Sequence, residues 1–211
     1  VVRLPDLCVA NSAPGIAQHT PDRAELGLPE KGFVFCSFSD SFKILPQTFG
    51  VWMRLLRAVD DSVLWLGPVS PGVTSNLRKA AASAGVDPGR LIFASLMDRR
   101  EDHLARYRRA DLFVDTFPCS GQITASEALF AGLPVLTRMG RSFSSRVAGS
   151  LLNAAGLPEL ITGSLEEYEA LALRLATEPG RLSTLRARLG NNFSTFPLFD
   201  CARFTRSLEA A

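Results

Sequence analysis

Residues 111–137 read Asp111-Leu112-Phe113-Val114-Asp115-Thr116-Phe117-Pro118-Cys119-Ser120-Gly121-Gln122-Ile123-Thr124-Ala125-Ser126-Glu127-Ala128-Leu129-Phe130-Ala131-Gly132-Leu133-Pro134-Val135-Leu136-Thr137. A short apolar run, Leu112 to Val114, passes through a polar loop carrying Gly121 into a helical stretch from Thr124 to Ala131. The chain then enters a second apolar run, Val135 to Thr137. Strand, loop, helix and strand in that order are the unit of a parallel sheet with crossover helices.

The same alternation extends in both directions. Upstream strands are expected at Phe33 to Phe38, Val63 to Leu66 and Leu91 to Ala94, each short and mostly rich in Val, Ile, Leu or Phe. Between them, a helix opening at Pro46 buries a stripe of Phe49, Trp52, Met53, Leu56 and Val59. Further helices are expected near Ser75 to Ala84, Glu101 to Arg109 and Ser145 to Ala155. Two more, Glu166 to Ala176 and Arg181 to Leu189, close the compact part, with a last one over Phe199 to Leu208. The fold class is therefore α/β, an open parallel sheet flanked by helices. Residues 1–30, broken by Pro5, Pro14, Pro21 and Pro29, read as a connecting arm, and 31–211 as the folded lobe.

Composition excludes several classes of function. The 211 residues are 46% hydrophobic and 21% charged, enough apolar content for a real core, which argues against disorder. Net charge is only +2 and the arginines are interleaved with acids, so nucleic acid is not the expected partner. No apolar stretch approaches a membrane span, and cytoplasmic residence is the expectation. The chain opens on Val1-Val2-Arg3 without an initiator Met, as a piece of a longer protein would. Cys8, Cys36, Cys119 and Cys201 are widely spaced, with only His19 and His103 to assist them, so neither a zinc site nor a disulfide framework is expected.

Ligands of open parallel sheets bind beyond the carboxyl ends of the strands, where strand order reverses. Three loops there carry polar residues beyond what a connector needs: Ser37 to Lys43, Met97 to His103, and Asp115 to Gln122. Gly121 precedes a helix start at Gln122-Ile123-Thr124, whose unpaired N–H groups and positive dipole end suit a pyrophosphate. Thr124 with Glu127 three places later is equally a capping box that any helix can use. Lys43 is one of only three lysines, with Lys31 and Lys79. It is either a compact cation for a phosphate oxygen or a solvated loop residue. His103 admits a surface role and Asp40 a plain turn role. The first loop lacks a Gly-x-Gly-x-x-Gly pattern, which disfavours a dinucleotide oxidoreductase.

Taken in order, Arg23 to Glu30, Ser62 to Leu66, Asp111 to Pro118, Ala128 to Thr137, Ser145 to Ser150 and Pro197 to Asp200 resemble the O-linked N-acetylglucosamine transferase and SPINDLY family over nearly the whole chain. The resemblance implies the C-terminal lobe of a GT-B glycosyltransferase, Rossmann-like, binding a nucleotide-sugar donor without a metal or other cofactor. An N-terminal catalytic lobe and helical repeats would be its partners within the full chain, and a protein the acceptor. It implies that Lys43 meets the donor diphosphate as the catalytic cation, with Asp40 a neighbouring donor contact. Arg100, His103 and Arg106 would frame the base and phosphates, Gly121, Gln122, Ile123 and Thr124 the phosphate cradle, and Glu127 the ribose hydroxyls. The implied reaction moves N-acetylglucosamine from UDP-N-acetylglucosamine to Ser or Thr with inversion. Gln122 stands where the transferases carry His, Ile123 replaces a Thr, and Gly140-Arg141 falls where Gly-Glu is usual. Glu127 in place of Asp resembles the SPINDLY-like branch, some members of which use GDP-fucose. A GDP-fucose-dependent lobe and a nucleotide-binding module that has lost catalysis are thus the alternatives.

Overall fold

Among the residues that the computed structural model describes, 4–7, 15–193 and 195–211, six strands alternate with eight α-helices. In chain order they are β1 (Val34–Ser37), α1 (Pro46–Ala58), β2 (Val63–Leu66), α2 (Pro71–Ser83), β3 (Leu91–Phe93), α3 (Arg100–Arg106) and β4 (Leu112–Val114). There follow α4 (Ile123–Phe130), β5 (Val135–Arg138), α5 (Val147–Ala154), β6 (Ile161–Thr162), α6 (Leu165–Thr177), α7 (Pro179–Asn192) and α8 (Cys201–Glu209). All strand pairs are parallel, in the order β3-β2-β1-β4-β5-β6. The chain builds outward from β1 to β3, returns through α3, and builds the other way from β4. The reversal lies between β1 and β4, where Phe35 pairs with Leu112 and Cys36 with Phe113. The crossovers that follow these two neighbours go to opposite faces of the sheet, which places the ligand crevice of such folds at this carboxyl edge.

Covered on both faces, the strands bury every residue of β1, β2 and β4. Trp65 on β2 and Trp52 and Met53 on α1 are among the largest fully buried side chains. Helix α1 packs on α6, and α4 on α5. Trp52 Nε1 donates to Tyr168 Oη, which itself donates to the Asp115 carbonyl, so α1 and α6 are tied to the end of β4.

The expected strands and helices are all present, with shifted ends. Helix α2 begins at Pro71 rather than Ser75, because proline at a first turn forfeits no hydrogen bond. Helix α3 stops at Arg106 and tightens into a 3₁₀ turn over Tyr107–Arg109. Strand β6 was not anticipated; two residues carry no periodicity, and only pairing with β5 defines it.

The described part of the arm lies against the lobe. Arg108 and Arg109 donate to carbonyls of Ala17, Thr20 and Pro21, and Arg23 pairs with Asp111 at 3.0 Å. Near the other end, Arg203 of α8 pairs with Asp6 at 2.6 Å, and Phe130, Phe193 and Phe199 form a ring cluster. Cys36, Cys119 and Cys201 form no disulfide among the described residues, whereas Cys8 and Pro14 lie outside them. No helix among the described residues is long and apolar enough to cross a membrane.

Candidate functional site

The loops after β1 and β4 meet over the strand reversal. Thr116 Oγ1 approaches Ser39 Oγ at 3.4 Å, and Thr48 Oγ1 at the start of α1 donates to the Phe117 carbonyl at 3.0 Å. After β1 the chain makes a 3₁₀ turn, Ser41–Lys43, closed by the Lys43 N–H on the Asp40 carbonyl. Asp40 is exposed at the mouth of the crevice, while Lys43 is half-buried.

The link between Lys43 and the start of α4 is Asp115, the residue after β4. Its side chain is 1% exposed. One carboxylate oxygen, Oδ1, accepts the backbone N–H groups of Gly121 (2.7 Å) and Thr116 (2.9 Å), and Oδ2 accepts the Thr137 hydroxyl at 2.7 Å. Burial pushes its pKa up to about 7, against the pull of these three bonds and of the positive charge on Lys43. The loop entering α4 is thus hydrogen-bonded to this buried carboxylate, and the charge of Lys43 acts on it without an ion pair between them.

Gly121 contributes differently from the expectation. Its N–H is spent on Asp115, so it is not a donor to a ligand. The glycine is required by packing: a Cβ there would stand 2.9 Å from Thr124 Oγ1 and 3.1 Å from Asp115 Oδ1. The N–H groups that helix geometry leaves unpaired within α4 are those of its first turn, at Ile123, Thr124 and Ala125. Gln122 occupies the N-cap without a side-chain cap bond, and no Thr124–Glu127 capping box forms. Gln122 and Ile123 are exposed, Ile123 to 67%, and Thr124 is half-buried.

Freed from capping, Glu127 turns towards α3. Its carboxylate lies 3.4 Å from His103 Nε2 and 3.5 Å from Arg100 Nη2, with its side chain only 12% exposed. Arg106 donates to His103 Nδ1 and to the Ser95 carbonyl. Because a guanidinium only donates, Nδ1 must accept, which leaves the ring proton on Nε2 facing Glu127. Arg106 itself is 1% exposed, stacked on Phe38 at 4.5 Å, and burial pulls its pKa down. It has no surface to offer a donor: the expected direct contact is corrected to a support beneath His103. Arg100, exposed, stands at the rim and pairs only loosely.

Two concavities of about 640 and 530 Å³ lie elsewhere, one over α2 and one at the amino edge of the sheet around Arg23, Asp111 and Arg186. Neither is lined by Lys43, by the first turn of α4 or by Glu127. Among the described residues, no group of three or more His, Cys, Asp and Glu comes together.

The model of glycosyl transferase family 41 matches residues 12–208. The chain belongs to glycosyl transferase family 41. It is 35% identical over 187 residues to a UDP-N-acetylglucosamine–peptide N-acetylglucosaminyltransferase of Caenorhabditis elegans, covering 89% of this chain and 16% of that protein. It is 36% identical over 217 residues to the probable UDP-N-acetylglucosamine–peptide N-acetylglucosaminyltransferase SPINDLY of Petunia hybrida, covering 100% and 23%. A solved mutant of Thermobaculum terrenum O-GlcNAc transferase superposes with a TM-score of 0.84 at 33% identity, over 99% of this chain and 39% of that one. Anabaena HepE in complex with UDP and glucose shares the fold at a TM-score of 0.63 and 16% identity, over 90% and 51%. The fold is that of the C-terminal lobe of a GT-B glycosyltransferase, and the chain spans about a fifth of the length of these curated relatives, 16% and 23%.

Within this family 41 lobe, the residues expected at the site fall into two groups. Asp40, Lys43 and the Gln122–Thr124 turn flank the crevice over the strand reversal, and Glu127, His103 and Arg100 form its α3–α4 wall. Asp115 was missed as a site residue. The available signal was an acid placed directly after an apolar strand and six residues before a glycine, a spacing that gains meaning only once the loop is seen to fold back.

Proposed function

We propose that this lobe holds the donor of a protein O-glycosyltransferase, with UDP-N-acetylglucosamine as the donor and a Ser or Thr hydroxyl as the acceptor. The observation that carries the reading is the meeting of two loops: Asp115 grips the loop that opens α4, and Thr116 beside it contacts Ser39 of the loop that carries Lys43. A cation and a helix start thereby face one crevice, where a diphosphate is met from both sides. The relatives, by name UDP-N-acetylglucosamine–peptide N-acetylglucosaminyltransferases, suggest the donor and acceptor class.

In the proposed reaction the bond from the anomeric carbon to the diphosphate oxygen breaks as the acceptor oxygen bonds from the opposite face. Charge grows on the departing oxygen, so Lys43 and the first-turn N–H groups of α4 stabilise the transition state more than the bound donor. No metal is assigned a part. Glu127 accepts from the ribose hydroxyls, with His103 holding its carboxylate in place. The acceptor proton passes to a base outside this chain. The carboxyl-edge loops also present Phe42, Leu96, Ile123 and Phe143, between 67% and 82% exposed. Such an apolar rim suits a second lobe and a bound acceptor covering the crevice.

The test is Lys43→Ala in the full-length enzyme. Turnover of UDP-N-acetylglucosamine should fall by about 10²–10³-fold, the effect of losing one preorganised donor. Unchanged turnover removes Lys43 from the mechanism. A thermal-shift panel of UDP, GDP and their sugars on the same protein decides the nucleotide, and stabilisation by GDP alone overturns the UDP assignment.

A further inference from the structure

We propose that Asp115 is a positioning residue for the donor diphosphate: its carboxylate, by gripping two backbone N–H groups of the β4–α4 loop, sets the direction in which the first turn of α4 presents its own. This rests on the function proposed above. It adds a residue that touches no donor and is not itself part of the crevice surface.

The argument is geometric. Five residues separate Asp115 from Gly121, and the loop between them must turn from the end of β4 into α4. Both backbone bonds of this turn go to the same oxygen, Oδ1, and Oδ2 is held independently by Thr137 on β5. The carboxylate cannot rotate without breaking the Thr137 bond, so the loop is referenced to β5 as well as to β4. A Cβ on Gly121 would stand only 3.1 Å from Oδ1, so any side chain there must push the loop or the carboxylate aside. From the other side, the Asp115 carbonyl is fixed by Tyr168 of α6. The charged and titratable groups that act on the carboxylate are Lys43 from the turn after β1 and Tyr168 from α6. An acid clamped this completely holds backbone that would otherwise choose among several conformations.

Uncharged asparagine preserves this arrangement. Its oxygen can take both N–H groups, and its amide nitrogen can face a rotated Thr137 hydroxyl. Alanine leaves two buried N–H groups without acceptors, and the loop must shift to hydrate them.

The experiment is calorimetry of UDP and of uridine on the full-length enzyme and its Asp115→Ala, Asp115→Asn and Thr137→Val variants. For Asp115→Ala, the UDP dissociation constant should rise by about 10–100-fold while that of uridine stays within about threefold, because only the diphosphate depends on the loop. Asp115→Asn should restore UDP affinity to within about fivefold of wild type, as a geometric role allows. Thr137→Val, which frees Oδ2 alone, should weaken UDP but not uridine, and it decides the matter if Asp115→Ala does not fold. Equal losses for UDP and uridine would overturn the proposal by showing a merely structural role. Wild-type UDP affinity in both Asp115→Ala and Thr137→Val would overturn it while leaving the donor-site reading intact. A wild-type enzyme that binds no UDP would overturn both.

Discussion

Adding one methyl group at Gly121 should damage both the lobe and its ligand affinity. The Cβ would sit 2.9 Å from Thr124 Oγ1, 3.1 Å from Asp115 Oδ1 and 3.3 Å from Ala125 Cβ. Thr124 can rotate away, but Asp115 is held by three hydrogen bonds and Ala125 has no rotamer to change. The backbone must therefore move by a few tenths of an ångström, against the 2.7 Å bond from Gly121 to Asp115. Overpacking of this kind costs about 1–3 kcal/mol, read as a loss of stability in urea. The same movement displaces the first-turn N–H groups of α4. Losing one hydrogen bond to a charged phosphate there is worth about 1.5–3 kcal/mol, or about 10–100-fold in UDP affinity by calorimetry. Gly72→Ala is the control, since nothing lies within 4 Å of a Cβ there and the residue is in α2. It should gain about 0.5–1 kcal/mol and bind UDP unchanged. If Gly121→Ala behaves like Gly72→Ala, the close approach to Asp115 does not govern the loop.

Three further outcomes follow from the same contacts. The folded-state pKa of Asp115 is raised to about 7, so the folded protein holds a proton that the unfolded chain has released. Stability is fully present below the unfolded carboxyl range and falls as pH rises towards 7, by about 1.4 kcal/mol per unit and about 4 kcal/mol at the limit. Urea unfolding of wild type against Asp115→Asn should show their difference widening in favour of Asn between pH 4 and 7 and flat above; a pH-independent difference rejects the burial of charge. Glu127→Ala should weaken UDP by about 10-fold while leaving 2′,3′-dideoxy-UDP affinity unchanged, and equal losses would move Glu127 away from the ribose. Tyr168→Phe removes the hydroxyl joining Trp52 Nε1 to the Asp115 carbonyl and should cost about 1–3 kcal/mol in urea, whereas no change would mean that water replaces it.

Much of the lobe was legible because its signals are local. The apolar runs at Val63–Leu66, Leu112–Val114 and Val135–Thr137 and the stripe of α1 report their own secondary structure, and alternation of the two element types implies a parallel sheet. Lys43 and the glycine before α4 stood out because they are unusual in composition or position. What tertiary structure alone decided is how shared residues are divided. Thr124 and Glu127 have capping-box spacing, yet Glu127 is taken by His103 and Arg100 across the α3–α4 contact, which no spacing within one helix encodes. Arg106 reads as a ligand-binding arginine but is drawn under Phe38 and His103, since the registry of α3 on the sheet determines which face is buried. Asp115 reads as a loop acid, and becomes the anchor of the β4–α4 loop only because the chain returns to it through Gly121, Thr137 and Tyr168. Local pattern is set by neighbours in sequence; the partner that wins a polar side chain is set by distance, and distance exists only in the fold.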